Sequence, residues 1–383
     1  MKLLQVLPAL QMGGVERGTI EIARALQREG IENLVASQGG PMVAELDALG
    51  VRHIALPLKS KNPFVMWRNA RALADFATRE GVTLMHVRSR APAWSVKWAS
   101  QRCGVPWMAT YHGVYGTKPE FFKKPYNHVM LEGVKTICVS DYVYQHVMET
   151  YHPDPAKLIR IHRGADTDVF RPDEKLTAAA REEKTTRFGF EPDCPLITLP
   201  GRLTRWKGQE VLLAALGKMK APKLGVLFVG SDQGRSEYTA QLRAQAAALG
   251  ARVRVVFQDH ARDMARIYAM SDIVVNASSA QPEAFGRTIP EAQAMGTLVV
   301  ATRHGGACET IRDGETGFLV PPGDAVALAE TLDRVLALDT QARRRIQDAA
   351  RASVHDSFSI EKMCAQTLAV YRALDQAGQQ MHV

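Results

Sequence analysis

The sequence has 383 residues, a length that predicts two domains because it exceeds what one compact core usually organises. Hydrophobic residues make up 46% of the chain and charged residues 23%, values that exclude a disordered or fibrous protein. The apolar runs stay below the roughly 18 residues of a membrane span. The first residues lack the apolar core and cleavage pattern of a signal peptide, so we expect a cytoplasmic protein.

The five cysteines are widely spaced in the sequence, at Cys103, Cys138, Cys194, Cys308 and Cys364. An odd number of cysteines without a Cys-x-x-Cys pair argues against a disulfide framework and against a zinc site. This pattern again favours a reducing compartment such as the cytoplasm.

The net charge of +8 is concentrated in the first half of the chain. Through residue 172 there are 22 Lys and Arg against 15 Asp and Glu, whereas the remainder has 26 against 25. This excess favours an anionic partner, such as a membrane surface or a phosphorylated glycolipid. We do not expect nucleic acid, because the interleaved aromatic and basic residues of RNA-binding proteins are missing. An ordinary basic surface explains the same charge equally well.

Short apolar runs alternate with amphipathic stretches of helix length throughout the first half. Strands separated by helices predict βαβ units and a parallel sheet. The predicted strands are residues 3–7, 33–36, 53–56, 84–87, 107–110, 136–139 and 158–161, and the clearest helices are 16–28 and 65–78.

The pattern restarts after a charged, weakly apolar segment at 172–195, where we place the domain junction. The predicted strands of the second domain are residues 196–199, 224–229, 253–257, 273–275, 298–301 and 318–320, with helices at 209–219 and 238–249. We therefore predict an α/β protein with domains at 1–172 and 173–358, and a terminal helix within 359–383 that packs back on the first domain. Two doubly wound sheets are expected to place ligands at the carboxyl ends of their strands, in a cleft that the domains face.

The most specific motif covers residues 281–296. Pro290 favours the first turn of a helix, and Gly296 favours the end of that helix. Glu283 is therefore expected in a loop above the preceding strand, and Glu291 in the first helical turn.

Each polar group of this motif suits part of a nucleotide sugar. Glu291 can accept hydrogen bonds from a ribose diol, and Glu283 can accept them from sugar hydroxyls. Backbone N–H groups around Arg287 and Thr288 can bind a phosphate. A carboxylate near a helix N-terminus is also favoured by the helix dipole alone, but the complete motif makes binding the better interpretation of Glu291.

A second motif, Leu-Pro-Gly-Arg-Leu-Thr-Arg-Trp-Lys-Gly at 199–208, follows the first strand of the second domain. Arg202 and Lys207 would flank the strand end and neutralise a diphosphate. Their charge would matter most as a leaving nucleotide gains negative charge in the transition state. Without the first motif, these two cations would be interpreted as solvated surface residues.

Together the motifs resemble the retaining glycosyltransferases of the GT-B fold, family four (glycosyl transferases group 1). The resemblance rests on the spacing of Glu283 and Glu291 around Phe285-Gly286, and on Gly201-Arg202-Leu203 followed by Lys207-Gly208. Further matches follow in order along the chain: Gly13-Gly14-Val15-Glu16, Thr110-Tyr111-His112-Gly113, residues 163–170, Gly305-Gly306 with Glu309, and residues 313–320. Within that family, the sequence looks most similar to bacterial lipopolysaccharide-core transferases.

The resemblance implies a role for each matching position. Arg202 and Lys207 would bind the donor diphosphate, Glu291 would hold the ribose, and Glu283 would contact the donor sugar. The remaining donor-binding positions are Gly14, which allows close approach of the phosphates, and Phe285, Gly286, Arg287 and Thr288, which offer their backbone. The catalytic residues would be His112, Glu283, Arg202 and Lys207.

His112 is considered separately because a lone histidine is usually structural. It follows a predicted strand and precedes Gly113, a position from which its ring can reach ligands at the strand's carboxyl end. The resemblance implies that it hydrogen-bonds the donor sugar or shapes the reacting centre. We interpret His86, His162, His260 and His304 as structural.

The resemblance implies no cofactor and no metal. The sequence lacks a clear Asp-x-Asp motif of the metal-dependent transferases, and Asp166-Thr167-Asp168 belongs to one of the matching segments. Arg202 and Lys207 would replace the metal. Many relatives have Glu-Gly-Phe-Gly where this chain has Glu283-Ala284-Phe285-Gly286, a change that adds one methyl group to the loop.

The resemblance implies transfer of a mannose- or glucose-type hexosyl group from a GDP- or UDP-sugar, with retention of anomeric configuration. The acceptor would be a saccharide or a lipid-linked saccharide, as in lipopolysaccharide-core or other cell-surface glycan synthesis. A basic, partly aromatic stretch at 115–126, with Lys59, Lys61, Arg68, Arg71, Arg88 and Arg90, suits such an acceptor and peripheral contact with the inner face of an anionic membrane. Two alternatives stay open, namely a nucleotide-sugar epimerase of the same fold and a catalytically silent nucleotide-sugar-binding protein.

Overall fold

The computed structural model describes residues 1–116, 120–261 and 263–380, which form two compact units. Unit 1 comprises residues 1–162 and the segment from Glu361 onward, and unit 2 comprises Arg163–Ile360. Residues 163–172 therefore lie with unit 2 rather than with the predicted first domain. The reason is a backbone bridge between Ala165 and Ser359, in which Ala165 N donates to Phe358 O at 2.8 Å and Ala165 O accepts from Ile360 N at 2.9 Å.

Unit 1 is built on a parallel sheet of seven strands in the order β3-β2-β1-β4-β5-β6-β7. The strands are β1 (Lys2–Val6), β2 (Glu32–Ser37), β3 (His53–Ala55), β4 (Leu84–Val87), β5 (Trp107–Tyr111), β6 (Thr136–Cys138) and β7 (Leu158–Arg160). Its helices are α1 (Gly14–Arg28), α2 (Val43–Ala48), α3 (Pro63–Glu80), α4 (Arg90–Cys103), α5 (Glu120–His128), α6 (Asp141–Tyr151) and, from the end of the chain, α15 (Ile360–Gln380). All seven predicted strands are confirmed.

Unit 2 is built on a parallel sheet of six strands in the order β10-β9-β8-β11-β12-β13. The strands are β8 (Leu196–Pro200), β9 (Leu224–Val229), β10 (Val253–Gln258), β11 (Ile273–Asn276), β12 (Leu298–Thr302) and β13 (Phe318–Val320). The helices are α7 (Glu174–Thr186), α8 (Gln209–Leu216), α9 (Ser236–Ala248), α10 (Met264–Met270), α11 (Thr288–Ala294), α12 (Ala307–Thr310), α13 (Ala325–Leu336) and α14 (Thr340–Ser357). All six predicted strands are confirmed.

The doubly wound architecture follows from the strand composition. The central strands of both units are buried along their whole length, as for β8 and β11, because helices cover both faces of a parallel sheet. The predicted α/β architecture of two doubly wound units is therefore confirmed. The segment 172–195, where we placed the domain junction, contains a helix that we did not predict, α7, which begins where the Asp173 side chain accepts a hydrogen bond from Leu176 N at 2.8 Å.

The last helix, α15, contributes to the core of unit 1, as the sequence analysis expected. The hydroxyl of Tyr371 lies 2.5 Å from Nδ1 of His86 on β4. On the surface, Arg372 pairs with Glu29 at 2.7 Å. Residues from opposite ends of the sequence thus complete one hydrophobic layer.

Candidate functional site

The two motifs of the second domain meet at the point where the strand order of unit 2 reverses. Strands β8 and β11 are neighbours in the sheet, with Ile197 opposite Ile273, although β9 and β10 lie between them in sequence. Connections from such adjacent strands leave in opposite directions and open a crevice that binds ligands in doubly wound folds. The loop with Arg202 and Lys207 and the loop with Glu283 therefore lie side by side.

A glycine allows the two loops to touch. Gly208 adopts the left-handed region at φ +75°, and a Cβ atom there would lie 1.8 Å from the carbonyl oxygen of Ala277. Only glycine fits this position without displacing the backbone. The contact holds the short 3₁₀ turn Arg205–Lys207 against the second loop, where Ser279 N donates to the carbonyl oxygen of Trp206 at 2.9 Å.

Lys207 and Glu283 form an ion pair across this junction. The ammonium group of Lys207 donates to Oε1 of Glu283, and the Ser278 hydroxyl donates to the same oxygen at 3.1 Å. Their side chains are only 15% and 12% exposed, so the pair is weakly screened by solvent. The two residues were predicted to bind separate parts of a ligand, whereas in the structure they are in direct contact.

Arg202 has a fixed backbone and an exposed side chain. Its carbonyl oxygen accepts a hydrogen bond from Nε2 of the fully buried Gln209 at 2.9 Å. Its guanidinium group lies 3.5 Å from Oε1 of Gln233, which is the limit of a hydrogen bond. The positive charge of Arg202 therefore stays accessible on the loop that also carries Lys207.

Glu291 lies in the first turn of α11, as predicted, and two side chains hold its carboxylate. The hydroxyl of Tyr268 donates to Oε2 at 3.1 Å, and Nε of Arg287 lies 3.5 Å from Oε1. Burial, followed by the adjacent Glu291 carboxylate, raises the pKa of Tyr268 well above its ordinary value. Tyr268 therefore remains a hydrogen-bond donor at all physiological pH values.

Sequence reasoning missed Tyr268. It is fully buried on α10, and it precedes Glu291 by 23 residues in the sequence. In the sequence it looks like one more apolar residue of a helix face, between Ile267 and Met270. The only available signal was that a buried tyrosine usually needs a partner for its hydroxyl.

The remaining donor positions occupy the segment between Glu283 and α11. The side chain of Phe285 is 3% exposed and packs on Phe358, with ring centroids 6.0 Å apart, so only its backbone faces the loop. Gly286 has φ +78°, a conformation that a side chain disfavours. Thr288 is the first residue of α11. The structure thus places these positions around one turn, next to Glu291.

In unit 1 the predicted residues also follow strand ends. Gly14 is the first residue of α1, in the connection that leaves β1, and His112 immediately follows β5 and is half-buried. The order of this sheet reverses between β1 and β4, so the connection containing Gly14 begins at the reversal.

His86 of unit 1 is structural, as we interpreted it. It is fully buried on β4, where Nε2 lies 2.7 Å from the Thr110 hydroxyl and Nδ1 lies 2.5 Å from the Tyr371 hydroxyl. Burial first, and then the charges of Arg88 and His112, lower the pKa of His86 well below its ordinary value. It is therefore neutral in the folded protein. Arg88, which we listed for an acceptor surface, is 3% exposed and donates to Oε1 of Gln5, so it is not part of a surface.

The basic stretch proposed for the acceptor is described in part, since residues 117–119 lie outside the described residues. Phe64 and Trp67 on α3 are 65% and 48% exposed, and Arg71 lies over the Trp67 ring at 5.0 Å. Within the ranges that the structure describes, we find no helix with the length and apolar content needed to cross a bilayer.

Comparison with known families covers most of the chain with two models. Residues 12–169 match the model described as Glycosyltransferase Family 4, and residues 180–353 match the model described as Glycosyl transferases group 1. The first model covers β2–β7 of unit 1, the second covers β8–β13 of unit 2, and together they include every predicted site residue.

Comparison with solved structures supports the same assignment. A glycosyltransferase from Rickettsia africae ESF-5 is 38% identical and has a TM-score of 0.87, with 97% of this chain and 98% of that chain covered. Anabaena HepE, solved in complex with UDP and glucose, is 23% identical at a TM-score of 0.82, over 97% and 99% of the chains. WaaG, a glycosyltransferase involved in lipopolysaccharide biosynthesis, is 18% identical at 0.73, over 96% and 99%. The last two likenesses establish the fold alone.

One sequence relative, whose name states an activity, matches a smaller share of the chain. The D-inositol 3-phosphate glycosyltransferase of Mycobacterium ulcerans (strain Agy99) is 31% identical over 247 residues, which are 64% of this chain. The chain spans about half the length of that protein, namely 51%.

Proposed function

This chain belongs to the group 1 glycosyltransferase family, and we propose that it transfers a mannose- or glucose-type hexosyl group from a nucleotide diphosphate sugar to a saccharide or glycolipid, with retention of configuration. One observation carries the proposal. Lys207, Glu283 and Glu291 occupy the strand-end crevice of unit 2, where a cation, a sugar-facing carboxylate and a rigid diol-binding carboxylate are all needed.

The diphosphate would be held by an exchange of partners. Lys207 is neutralised by Glu283, and a phosphate oxygen near the ammonium group would share or replace that contact. Glu283 would then be available to accept hydrogen bonds from sugar hydroxyls. Arg202, exposed on the same loop as Lys207, would contribute a second positive charge. Because two cations suffice to stabilise the leaving diphosphate, we propose a reaction that uses neither metal nor cofactor.

The nucleotide would be fixed through its ribose. Glu291 uses one carboxylate oxygen for Tyr268 and the other for Arg287. Each carboxylate oxygen can accept more than one hydrogen bond, so we propose that a ribose diol donates to the same carboxylate. Gly14 and the backbone at Phe285, Gly286, Arg287 and Thr288 would contact the phosphates and the sugar, and His112 the reacting centre. The binding of UDP and glucose by HepE supports a UDP-sugar, with a GDP-sugar as the alternative.

We propose an anionic or lipid-linked saccharide as the acceptor. The excess of positive charge through residue 172 supports it, as does the fold shared with WaaG, and a lipopolysaccharide-core saccharide is the specific proposal. The inositol phosphate acceptor named for the mycobacterial relative is also anionic. We propose peripheral contact of the same basic surface with the inner face of an anionic membrane.

Binding and turnover together test the proposal. Calorimetric titration with UDP, GDP, ADP and their sugars should select one base, because a ligand of the folded state binds and stabilises it. Turnover with that donor should depend on an added saccharide or glycolipid. Formation of an epimer from the donor without any acceptor would favour an epimerase. Tight donor binding without turnover in any acceptor mixture would favour a silent binding protein.

A separate measurement tests the membrane contact. Flotation with liposomes of anionic lipid should carry the protein to the top of a gradient, and neutral liposomes should leave it at the bottom. Adding salt should release it, because the attraction between exposed charges is screened. Equal, negligible flotation with both lipids would remove the membrane from the proposal.

A further inference from the structure

Unit 2 has a second recess beside the donor loops, with a volume of about 750 Å³. That volume is within the range of small-molecule sites. The residues that matter in its lining are Thr204, Arg205, Trp206, Arg235, Tyr238 and Gln281. The residues assigned above to the donor do not line it, although Lys207 and Glu283 follow its lining segments closely in sequence.

The recess has an aromatic wall. Trp206 is half-buried, and Tyr238 is 6% exposed beneath the guanidinium group of Arg205, whose Cζ lies 5.0 Å from the ring centroid. The face of an aromatic ring carries partial negative charge. The C–H groups on the flat side of a pyranose carry partial positive charge, so they pack favourably on an indole such as that of Trp206.

The charges around the recess are balanced. Arg205 pairs with Glu210 at 2.9 Å and also donates to Gln241 at 2.9 Å. Arg235 is accompanied in the lining by Glu237, so the lining carries little net charge to attract a phosphate. Arg235 and Gln281 are exposed and offer hydrogen-bonding groups of the kind that hydroxyls bind.

A buried hydroxyl at the same place lacks a partner. Thr204 is 6% exposed, and within the described ranges its Oγ1 makes no hydrogen bond. Buried polar groups nearly always have a partner, and an exception calls for an explanation. This oxygen is fully covered in the structure, so a ligand hydroxyl in the recess would reach it only after a movement of the lining.

We propose that this recess binds a neutral saccharide unit, and that the unit belongs to the acceptor chain. The proposal rests on the glycosyltransferase function. The position favours an acceptor because Trp206 directly precedes Lys207, whose ammonium group lies 4.4 Å from the indole centroid. The hydrogen bond from Ser279 N to Trp206 O joins the same wall to the loop of Glu283. A sugar here would lie next to the donor site while leaving the donor residues unoccupied.

Fluorine NMR of the full-length protein tests the binding. Labelling with 5-fluorotryptophan gives one signal for each of the five tryptophans, and Trp206→Phe identifies that of Trp206. Methyl α-glucoside, maltose and glucose 6-phosphate are titrated to about 10 mM, a range suited to weak sites. Each titration is repeated with saturating UDP. Trp67→Phe, in the other unit, serves as the matched control variant.

The expected result is a saturable shift of the Trp206 signal with maltose or methyl α-glucoside that persists with UDP. Gln281→Ala and Arg235→Ala should each weaken it by roughly 3- to 10-fold, because each removes one hydrogen-bonding group. No shift with either neutral sugar, a shift with glucose 6-phosphate alone, or loss of the shift with UDP would overturn the proposal. UDP binding observed in the same samples reports the donor site independently, so failure of the two proposals is distinguishable.

Kinetics test the assignment to the acceptor. With an acceptor of two or more sugars, Trp206→Ala should raise the acceptor KM about 10-fold, a larger factor than its effect on the donor KM through the neighbouring Lys207. An unchanged acceptor KM in Trp206→Ala would overturn the acceptor role. The same role would be overturned if the sugar in the recess changed the rate but was not itself elongated.

Discussion

The two units place different chemistry at the carboxyl ends of the same kind of sheet. In unit 2, the loops after β8 and β11 carry the ion pair of Lys207 and Glu283, whose side chains stay 12–15% exposed. In unit 1, β4 carries His86, which is fully buried under Tyr371 of α15. The comparison teaches that a polar side chain near a reversal of strand order can serve a ligand site or the core, depending on whether another element buries it.

The largest effect is expected for residues of the strand-end crevice of unit 2. Lys207→Ala and Glu291→Ala should each lower turnover about 100-fold or more, because each removes a preorganised group that stabilises or holds the donor. Steady-state kinetics with a saturating acceptor measures the loss. Lys218→Ala, an exposed cation of the same unit, should retain wild-type rates. Near-wild-type turnover in both site variants would contradict the assignment of the donor site to this crevice.

Tyr268→Phe should weaken donor binding by roughly 10-fold, since it removes one charge-assisted hydrogen bond to Glu291. The effect should fall on the donor KM more than on kcat. A double-mutant cycle checks the cause: in a Glu291→Gln background, Tyr268→Phe should cost much less. An equal cost in both backgrounds would show that Tyr268 acts through packing alone.

At the buried His86 of unit 1, the same kind of change should affect stability and spare the donor. Tyr371→Phe leaves Nδ1 of the buried His86 without its partner, which should lower the free energy of unfolding by about 1–3 kcal/mol. Chemical denaturation measures it, with the half-buried Tyr144→Phe as control. If Tyr371→Phe weakened donor binding as strongly as Tyr268→Phe does, Tyr371 would not be confined to the core of unit 1. The contrast between the two tyrosines would then be wrong.

The smallest effect is a pH dependence of unit 1. The pKa of folded His86 lies well below the unfolded value of about 6.5, so the unfolded chain binds the extra proton. Stability from this group is therefore present above pH 6.5 and is lost as the pH falls below it, by at most about 1.4 kcal/mol per pH unit. The pKa values of His53 and His146 are also lowered by burial and add to the slope.

Replacing His86 isolates its share of that slope. In His86→Gln, urea unfolding between pH 7 and 5 should show a slope smaller by about one proton than in the wild type. An unchanged slope would assign the pH dependence to the other histidines.

The strand arrangement was predictable because buried parallel strands are continuous apolar runs, such as Leu-Gly-Val-Leu-Phe-Val in β9. The motif at 281–296 also located Glu291 in a helical turn. In contrast, α7 escaped prediction because only Ala180 and Lys184 of its 13 residues are buried, which gives a weak apolar period.

Contacts between distant segments account for the rest. The ion pair of Lys207 and Glu283 spans 76 residues and depends on the close approach of Gly208 to Ala277. The support of Glu291 by Tyr268 depends on how α10 packs beside α11. Neither contact can be predicted from the local sequence, because each depends on how distant segments pack together in the fold.

The membership of α15 in unit 1 has a consequence for synthesis on the ribosome. Unit 2 is one continuous segment and can fold as soon as residue 360 has emerged. Unit 1 contains the first 162 residues, yet His86 gains its hydrogen bond to Tyr371 only when the last helix arrives. The first 162 residues are therefore completed by a helix that is made only after all of unit 2, and their core stays unfinished until then.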